Sequence, residues 1–276
     1  MYILQEDRKQ AIDYLKKKYE NIKDETESSM IPWGENFWVK YLKILTFQAL
    51  IEQILDKYLS EEYQKNPIRL TLLEEKADNG LRLKVEVKKN LPVTELWKPG
   101  TTIFALNQVF KCENEKLIVH IETVTATGNG KKLFKESLLP LFETFNVQKI
   151  TLKASGIGGG REGVLVWARY GFIPSQENWN EMLESGKKQI KEIQDTQEKW
   201  IEEMNSILAD LNPRTIRKLV FLSWQEKEKV KPILDNMLES TVSWSGTLNL
   251  ADKIDRDWIT KYTSGADIQE YSDLLK

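Results

Sequence analysis

The chain has 276 residues, of which 41% are hydrophobic and 30% charged, with a formal net charge of -2. That length and apolar content suffice for a sizeable buried core, and the near-balance of charge excludes a general polyanion-binding field. A lone cysteine, Cys112, excludes a disulfide framework within the chain and favours a cytoplasmic setting; no apolar run approaches the roughly 18 residues of a membrane helix, and MYILQEDRKQ lacks a signal-peptide layout.

From Gln5 to about Asn66 the periodicity predicts helices, with AIDYLKKKY and FWVKYLKILTFQALIEQILDKYL each keeping apolar residues on one stripe. Between them SSMIPWGEN, with Pro32 and Gly34, reads as a connecting loop. IRLTLLEE and LRLKVEVKK then flank AlaAspAsnGly (77–80), a hairpin signal because AsnGly accepts the positive φ of a tight turn. LPVTELWKPG is loop, and TTIFALNQVFKC (101–112) predicts a third strand leading to a fourth.

That fourth strand is KLIVHIETV (116–124), where Leu117, Val119 and Ile121 alternate with Ile118, His120 and Glu122. Gly128, Asn129 and Gly130 break it. KKLFKESLLPLFETF follows with Leu133, Phe134, Ser137, Leu138, Leu141 and Phe142 at helical spacing. A glycine turn between strand and helix aims free N–H groups and the positive end of the helix dipole at one place, where Lys131 and Lys132 add charge. This is either an anion cradle or a plain helix start with solvated lysines. QKITLKA (148–154) predicts the next strand, as a parallel βαβ unit requires. SGIGGGREGVLVWARYGFIP passes from a glycine loop into a short helix that ends at Gly171, with Phe172 and Ile173 opening a last strand.

On these features residues 116 to about 176 resemble the core of the GNAT superfamily of acyl-CoA-dependent N-acyltransferases. The two glycines of the family's pyrophosphate loop match Gly128 and Gly130, whereas Thr125 stands where the family has Gln or Arg. Trp167, four residues before Gly171, stands where active members commonly carry the Tyr that protonates the leaving thiolate; the nearest phenol is Tyr170. The resemblance implies an α/β (α+β) fold with a mixed, mainly antiparallel sheet and flanking helices. Periodicity and composition divide the chain into an N-terminal helical region (1–66), a β-rich part that on the resemblance would be the acyl-CoA-binding domain (67–180) and a C-terminal helical extension (181–276). The resemblance also implies direct transfer of an acyl group, acetyl first, from acyl-CoA to an amine. Val124, Thr125, Thr127, Gly128, Asn129, Gly130, Lys131, Lys132 and Trp167 would hold the cofactor, and His120, Glu122 and Tyr170 would serve catalysis.

His120, the chain's one histidine, and Glu122 share a face on a regular strand. An imidazole titrates near working pH and suits a base that takes a proton from an amine, with Glu122 orienting it or acting alone through water. The alternative is a hydrogen-bonded structural histidine. Cys112 has no sequence partner for a thiolate mechanism, and one His with one Cys supplies no metal-ligand cluster. SGIGGG gives room for the pantetheine arm or is simply a flexible loop. After Trp179, EMLESGKKQIKEIQDTQEKWIEEMNSIL predicts one long charged amphipathic helix, and Asn212–Pro213 cap RTIRKLVFLSW. TVSWSGTLNLADKIDRDWITKY predicts a tight turn at SerGly and a final helix. Two further function classes stay open: a catalytically silent scaffold whose C-terminal helices meet a protein partner, and an effector that modifies a protein or a tRNA.

Overall fold

The computed structural model describes residues 22–24, 37–44, 66, 68–75, 80–88, 102–126, 130–155, 162–193, 198–240 and 243–275, with isolated positions at 10, 13, 14, 17, 49, 52, 53 and 57. The chain forms two compact units, Met1–Gln148 and Lys149–Lys276. Each combines helices with mainly antiparallel strands, the α+β class expected from the sequence.

In the first unit, β2 (Ile68–Glu75), β3 (Gly80–Lys88), β4 (Thr102–Glu113) and β5 (Lys116–Ala126) run as an antiparallel meander. The expected hairpin is present, but Glu75 faces Gly80, so Gly80 opens β3 instead of completing an AsnGly turn; residues 76–79 lie outside the described residues. The β4–β5 turn is tighter. Glu113 pairs with Lys116, and Asn114 (φ 49°) and Glu115 (φ 63°) both take left-handed backbone, which matches the right-handed twist of the strands. Alternation buries Leu81, Leu83, Val85 and Val87 with Phe104, Leu106, Phe110, Val119 and Ile121 on one face of the sheet, each worth roughly 1.5–3 kcal/mol. α1 follows as Gly130–Leu133, a π-type stretch Phe134–Leu138, and Leu139–Thr144, burying Leu133, Phe134, Leu138, Leu141 and Phe142. Phe145, just after it, meets Phe110 edge-on at 6.4 Å, which docks α1 on the apolar face.

Most of the helices expected over Gln5–Asn66, the loops 28–36 and 91–100, and Trp33 and Trp97 lie outside the described residues. A short strand, β1 (Ile22–Asp24), pairs parallel with β2, which helical periodicity does not predict.

In the second unit β6 (Lys149–Ser155) pairs antiparallel with β8 (Ser243–Asn249), and β7 (Ile173–Pro174) pairs with the other edge of β8. α2 (Glu162–Arg169) ends at Gly171, whose φ of +89° an L side chain rarely adopts. The SerGly turn expected at 245–246 is instead the middle of β8. Gly246 is there because a Cβ would lie 2.7 Å from Trp244 and 3.2 Å from Leu152, so the strands approach closely only without one.

The single long helix expected over 181–208 is two, α3 (Gln176–Ile193) and α4 (Lys199–Ala209). Glu198 is extended (φ -99°, ψ 138°) and its side chain accepts from the Trp200 indole N–H while pairing with Lys229. α4 folds back on α3: the Trp179 indole donates to the Asp210 carbonyl at 3.2 Å, and Leu208 lies against Gly186. The expected cap at Asn212 is present, its side chain accepting from Arg214 N at 3.0 Å ahead of a short 3-10 turn (Pro213–Thr215) and α5 (Ile216–Gln225). α6 (Lys227–Glu239), α7 (Lys253–Ser264) and a 3-10 helix (Ile268–Leu275) complete the unit.

A buried charge pair ties these pieces together. Arg217 and Asp255, each nearly inaccessible, approach to 3.0 Å, and Arg217 also donates to the Gly171 carbonyl at 2.8 Å. Asp255 accepts from Asn249 N at 2.9 Å and from Arg214, whose second nitrogen pairs with Asp252, the N-cap of α7. Asp255→Ala leaves Arg217 as a buried cation without its counter-charge, and we expect a loss of about 3–5 kcal/mol in urea unfolding, against about 0.5–2 kcal/mol for Asp252→Ala, which loses a cap and an exposed pair. Gly171→Ala should cost roughly 1–3 kcal/mol, because its Cβ would lie 2.4 Å from Trp258 on a left-handed backbone. A melting temperature equal to the parent's would contradict that.

Candidate functional site

β5 carries the candidate residues, and its pairing with β4 contains an irregularity that decides where they point. Gln108 faces Ile121 while Asn107 faces Thr123, so Glu122 is the extra residue of a β-bulge. The bulge shifts the alternation by one. Val124 therefore sits opposite Leu106, on the apolar side, and Thr123 sits opposite Asn107 on the polar side. Strict alternation would reverse both. The signal was in the sequence: apolar residues at 117, 119 and 121 are followed by one at 124 instead of 123.

The polar side of β3–β5 holds Arg82, opposite Val109, which is opposite His120. Glu122 is bound by two neighbours. Arg82 Nη1 donates to Glu122 Oε2 and, at 3.2 Å, to Asn107 Oδ1; Asn107 Nδ2 donates to Glu122 Oε2 at 2.7 Å. The Arg82 hydrogen bond is the main cause holding the Glu122 carboxyl below its usual range, against partial burial. Burial lowers the His120 pKa below 6.5, and the positive charges of Lys111 and Arg82 act the same way, while Glu122 opposes them. At neutral pH this places a neutral imidazole beside a fixed carboxylate. The imidazole can accept a proton; the carboxylate, stabilised in its charged form, is the poorer base.

The remaining expected residues are distributed as follows. Val124 is half-buried, and Thr125 pairs through its backbone with Ala105. Thr127, Gly128 and Asn129 lie outside the described residues, as does the glycine run 156–160. Gly130, Lys131 and Lys132 form the first turn of α1, which contains no acidic residue; both lysines are exposed, and Lys132 lies 4.0 Å from Glu136. Trp167 and Tyr170 belong to the second unit. Tyr170 is buried, with Trp167 at 5.9 Å and Tyr262 edge-on at 4.9 Å, and desolvation raises its pKa strongly. This is the environment of a core side chain. Cys112 is half-buried on β4 opposite Leu117.

Sequence reasoning missed Arg82 and Asn107. Neither belongs to a motif, and only the register of three strands brings them to Glu122. An open groove of about 720 Å³ in the second unit, lined by Asn178, Glu181, Glu184, Ser185, Lys188 and Ser240 among others, contains none of the expected residues. Among the described residues no group of three or more His, Cys, Asp or Glu side chains is placed to hold a metal, and no described helix is long and apolar enough to cross a membrane. No protein-family model matches the chain, and no curated protein matches it.

The titration behaviour has a sign that can be checked. A lowered His120 pKa means the unfolded chain takes up its proton first, so stability falls as pH drops below 6.5 until the folded pKa is reached. The Glu122 contribution is present above 4.5 and is lost as pH falls through its lower folded pKa. The pair is about a third exposed, with side-chain accessibilities of 25% and 32%, so Glu122→Gln should cost about 1 kcal/mol or less at neutral pH. In urea unfolding that gap should narrow as pH falls below 4.5 and through the lowered folded pKa of Glu122; a gap independent of pH would mean that the ionised carboxylate is not what the substitution removes.

Proposed function

We propose that this chain is an acyltransferase of the GNAT type, moving an acyl group, acetyl first, from an acyl-CoA to an amine. The observation that carries this reading is the passage from β5 to α1: a bulged strand ends at Ala126 and a helix opens at Gly130 with exposed lysines and no acidic residue in its first turn. Helix N–H groups and the two ammonium groups suit a pyrophosphate. A bulge also turns a backbone N–H out of the ladder, the kind of donor that polarises a thioester carbonyl. Val124, Thr125, Thr127, Gly128 and Asn129, which precede this helix in the chain, complete the proposed acyl-CoA contacts. The lone free cysteine suits a reducing, cytoplasmic setting.

In the proposed reaction the neutral amine nitrogen attacks the thioester carbonyl and a C–N bond forms. His120 takes the amine proton, the C–S bond breaks toward sulfur, and the thiolate recovers that proton as the imidazolium gives it up. The sum is amine plus acyl-CoA to amide plus CoA thiol. The burial of Tyr170 favours a second reading, a catalytically silent module of the same shape, because a phenol packed into the core, with its pKa raised by desolvation, is a poor acid for a leaving thiolate.

Calorimetric titration with CoA and acetyl-CoA separates these. We expect micromolar binding that Gly130→Glu abolishes, and His120→Ala should keep the binding while lowering turnover about 10²–10⁴-fold. Failure of the unaltered protein to bind either ligand would sink the acyltransferase reading; binding without turnover toward any amine would favour the silent module.

A further inference from the structure

Arg82, Asn107 and Glu122 come from three successive strands and close a ring in which each contacts the other two. An ordinary cross-strand ion pair forms between side chains directly opposite each other on a regular ladder and needs no third member. Here the carboxylate stands on a residue with no Cα partner on β4, displaced by the bulge, and both donors converge on its Oε2. The amide of Asn107 serves twice, accepting from Arg82 through Oδ1 and donating to Glu122 through Nδ2. Such a ring fixes the carboxylate in place and in its charged form, and leaves Oε1 outside it.

We propose that Arg82 and Asn107 are positioning residues that hold Glu122 as a fixed counter-charge for His120, so that His120 and not Glu122 takes the acceptor's proton. The last clause rests on the acyltransferase reading; the positioning does not. When the imidazole becomes an imidazolium, the held carboxylate stabilises it, and no proton passes to Glu122 itself. Arg82 on β3, Lys111 on β4 and Glu122 on β5 act electrostatically on the imidazole. Of these, only Glu122 favours the protonated form, and its leverage depends on where the ring puts it.

Because the chain has one histidine, its imidazole Cε1–H gives one proton–carbon resonance with no second histidine to confuse it. The test is the titration midpoint of that resonance in the full-length protein and in Glu122→Gln, Asn107→Ala and Arg82→Lys. Glu122→Gln removes the counter-charge and lowers the midpoint. Asn107→Ala and Arg82→Lys change no net charge, yet each should lower it in the same direction, on the order of half a pH unit, because the carboxylate is no longer held. A ring that serves stability alone would change the melting temperature and leave the midpoint where it was. An unmoved midpoint in both charge-neutral variants, or in Glu122→Gln, overturns the proposal. If one charge-neutral variant fails to fold by circular dichroism, the other carries the test. Where turnover is measurable, Asn107→Ala should lower kcat with KM little changed. Failure of the unaltered protein to bind acetyl-CoA would overturn the acyltransferase reading while leaving the titration outcome to stand or fall by itself.

Discussion

The register between β4 and β5 is the constraint on which the candidate site depends. It starts at a two-residue turn whose left-handed Asn114 and Glu115 leave little freedom in how the strands align. From Glu113–Lys116 the ladder runs regularly as far as Gln108–Ile121, and there one extra residue enters β5. A regular ladder would turn Thr123 toward the apolar layer and Val124 toward the polar side. The bulge reverses this, keeping Val124 with Leu106 and Phe104 nearby in the same layer while Glu122 meets its two donors. The apolar layer and the polar ring thus select the same register.

The second unit is organised by a different interaction. Arg217 and Asp255 are both withdrawn from water, which is costly unless the remaining hydrogen-bonding capacity is used. Much of it is: the Gly171 carbonyl, Asn249 N and Arg214 all take part, and the guanidinium of Arg217 lies 5.3 Å from the centroid of the Trp258 ring. These partners come from the end of α2, the end of β8, α5 and α7, so one polar cluster fixes four separated parts of the chain. Around it Trp224 stacks parallel on Tyr262 at 6.2 Å, and Tyr271 packs edge-on against Trp224 and Trp258. That packing explains why the tryptophans and tyrosines of this part are concentrated where they are, and it draws Tyr170 into the core through Tyr262.

The two clusters differ in what their surroundings allow. The Arg217–Asp255 pair is withdrawn from water and its partners are the backbone and side chains that it ties together, which is a structural role. The Arg82–Glu122 pair is partly open, which weakens its contribution to stability and leaves its charge within reach of a neighbouring group. A neutral imidazole beside a held carboxylate is useful to chemistry only in the second kind of environment.

Local pattern was enough to read β3, β4, β5 and α1, because period-2 and period-3.6 apolar spacing is a property of neighbouring residues, and enough to read the cap at Asn212, whose side chain lies two residues from its target. The same reasoning misread Ser245–Gly246, since glycine marks a turn and a close strand approach alike and only Trp244, Leu152 and Phe172 distinguish them. It joined α3 to α4 because their charged composition is continuous; the break shows only in the absence of apolar residues between Ile193 and Trp200. It found His120 and Glu122 on one strand but not Arg82 and Asn107, which stand 40 and 15 positions from Glu122 along the chain. What the sequence by itself determined was therefore the class of the fold, most of the elements and the strand bearing the candidate residues. Only the tertiary structure decided which charges those residues face, because strand register and the bulge within it arise from packing between segments that local spacing does not encode.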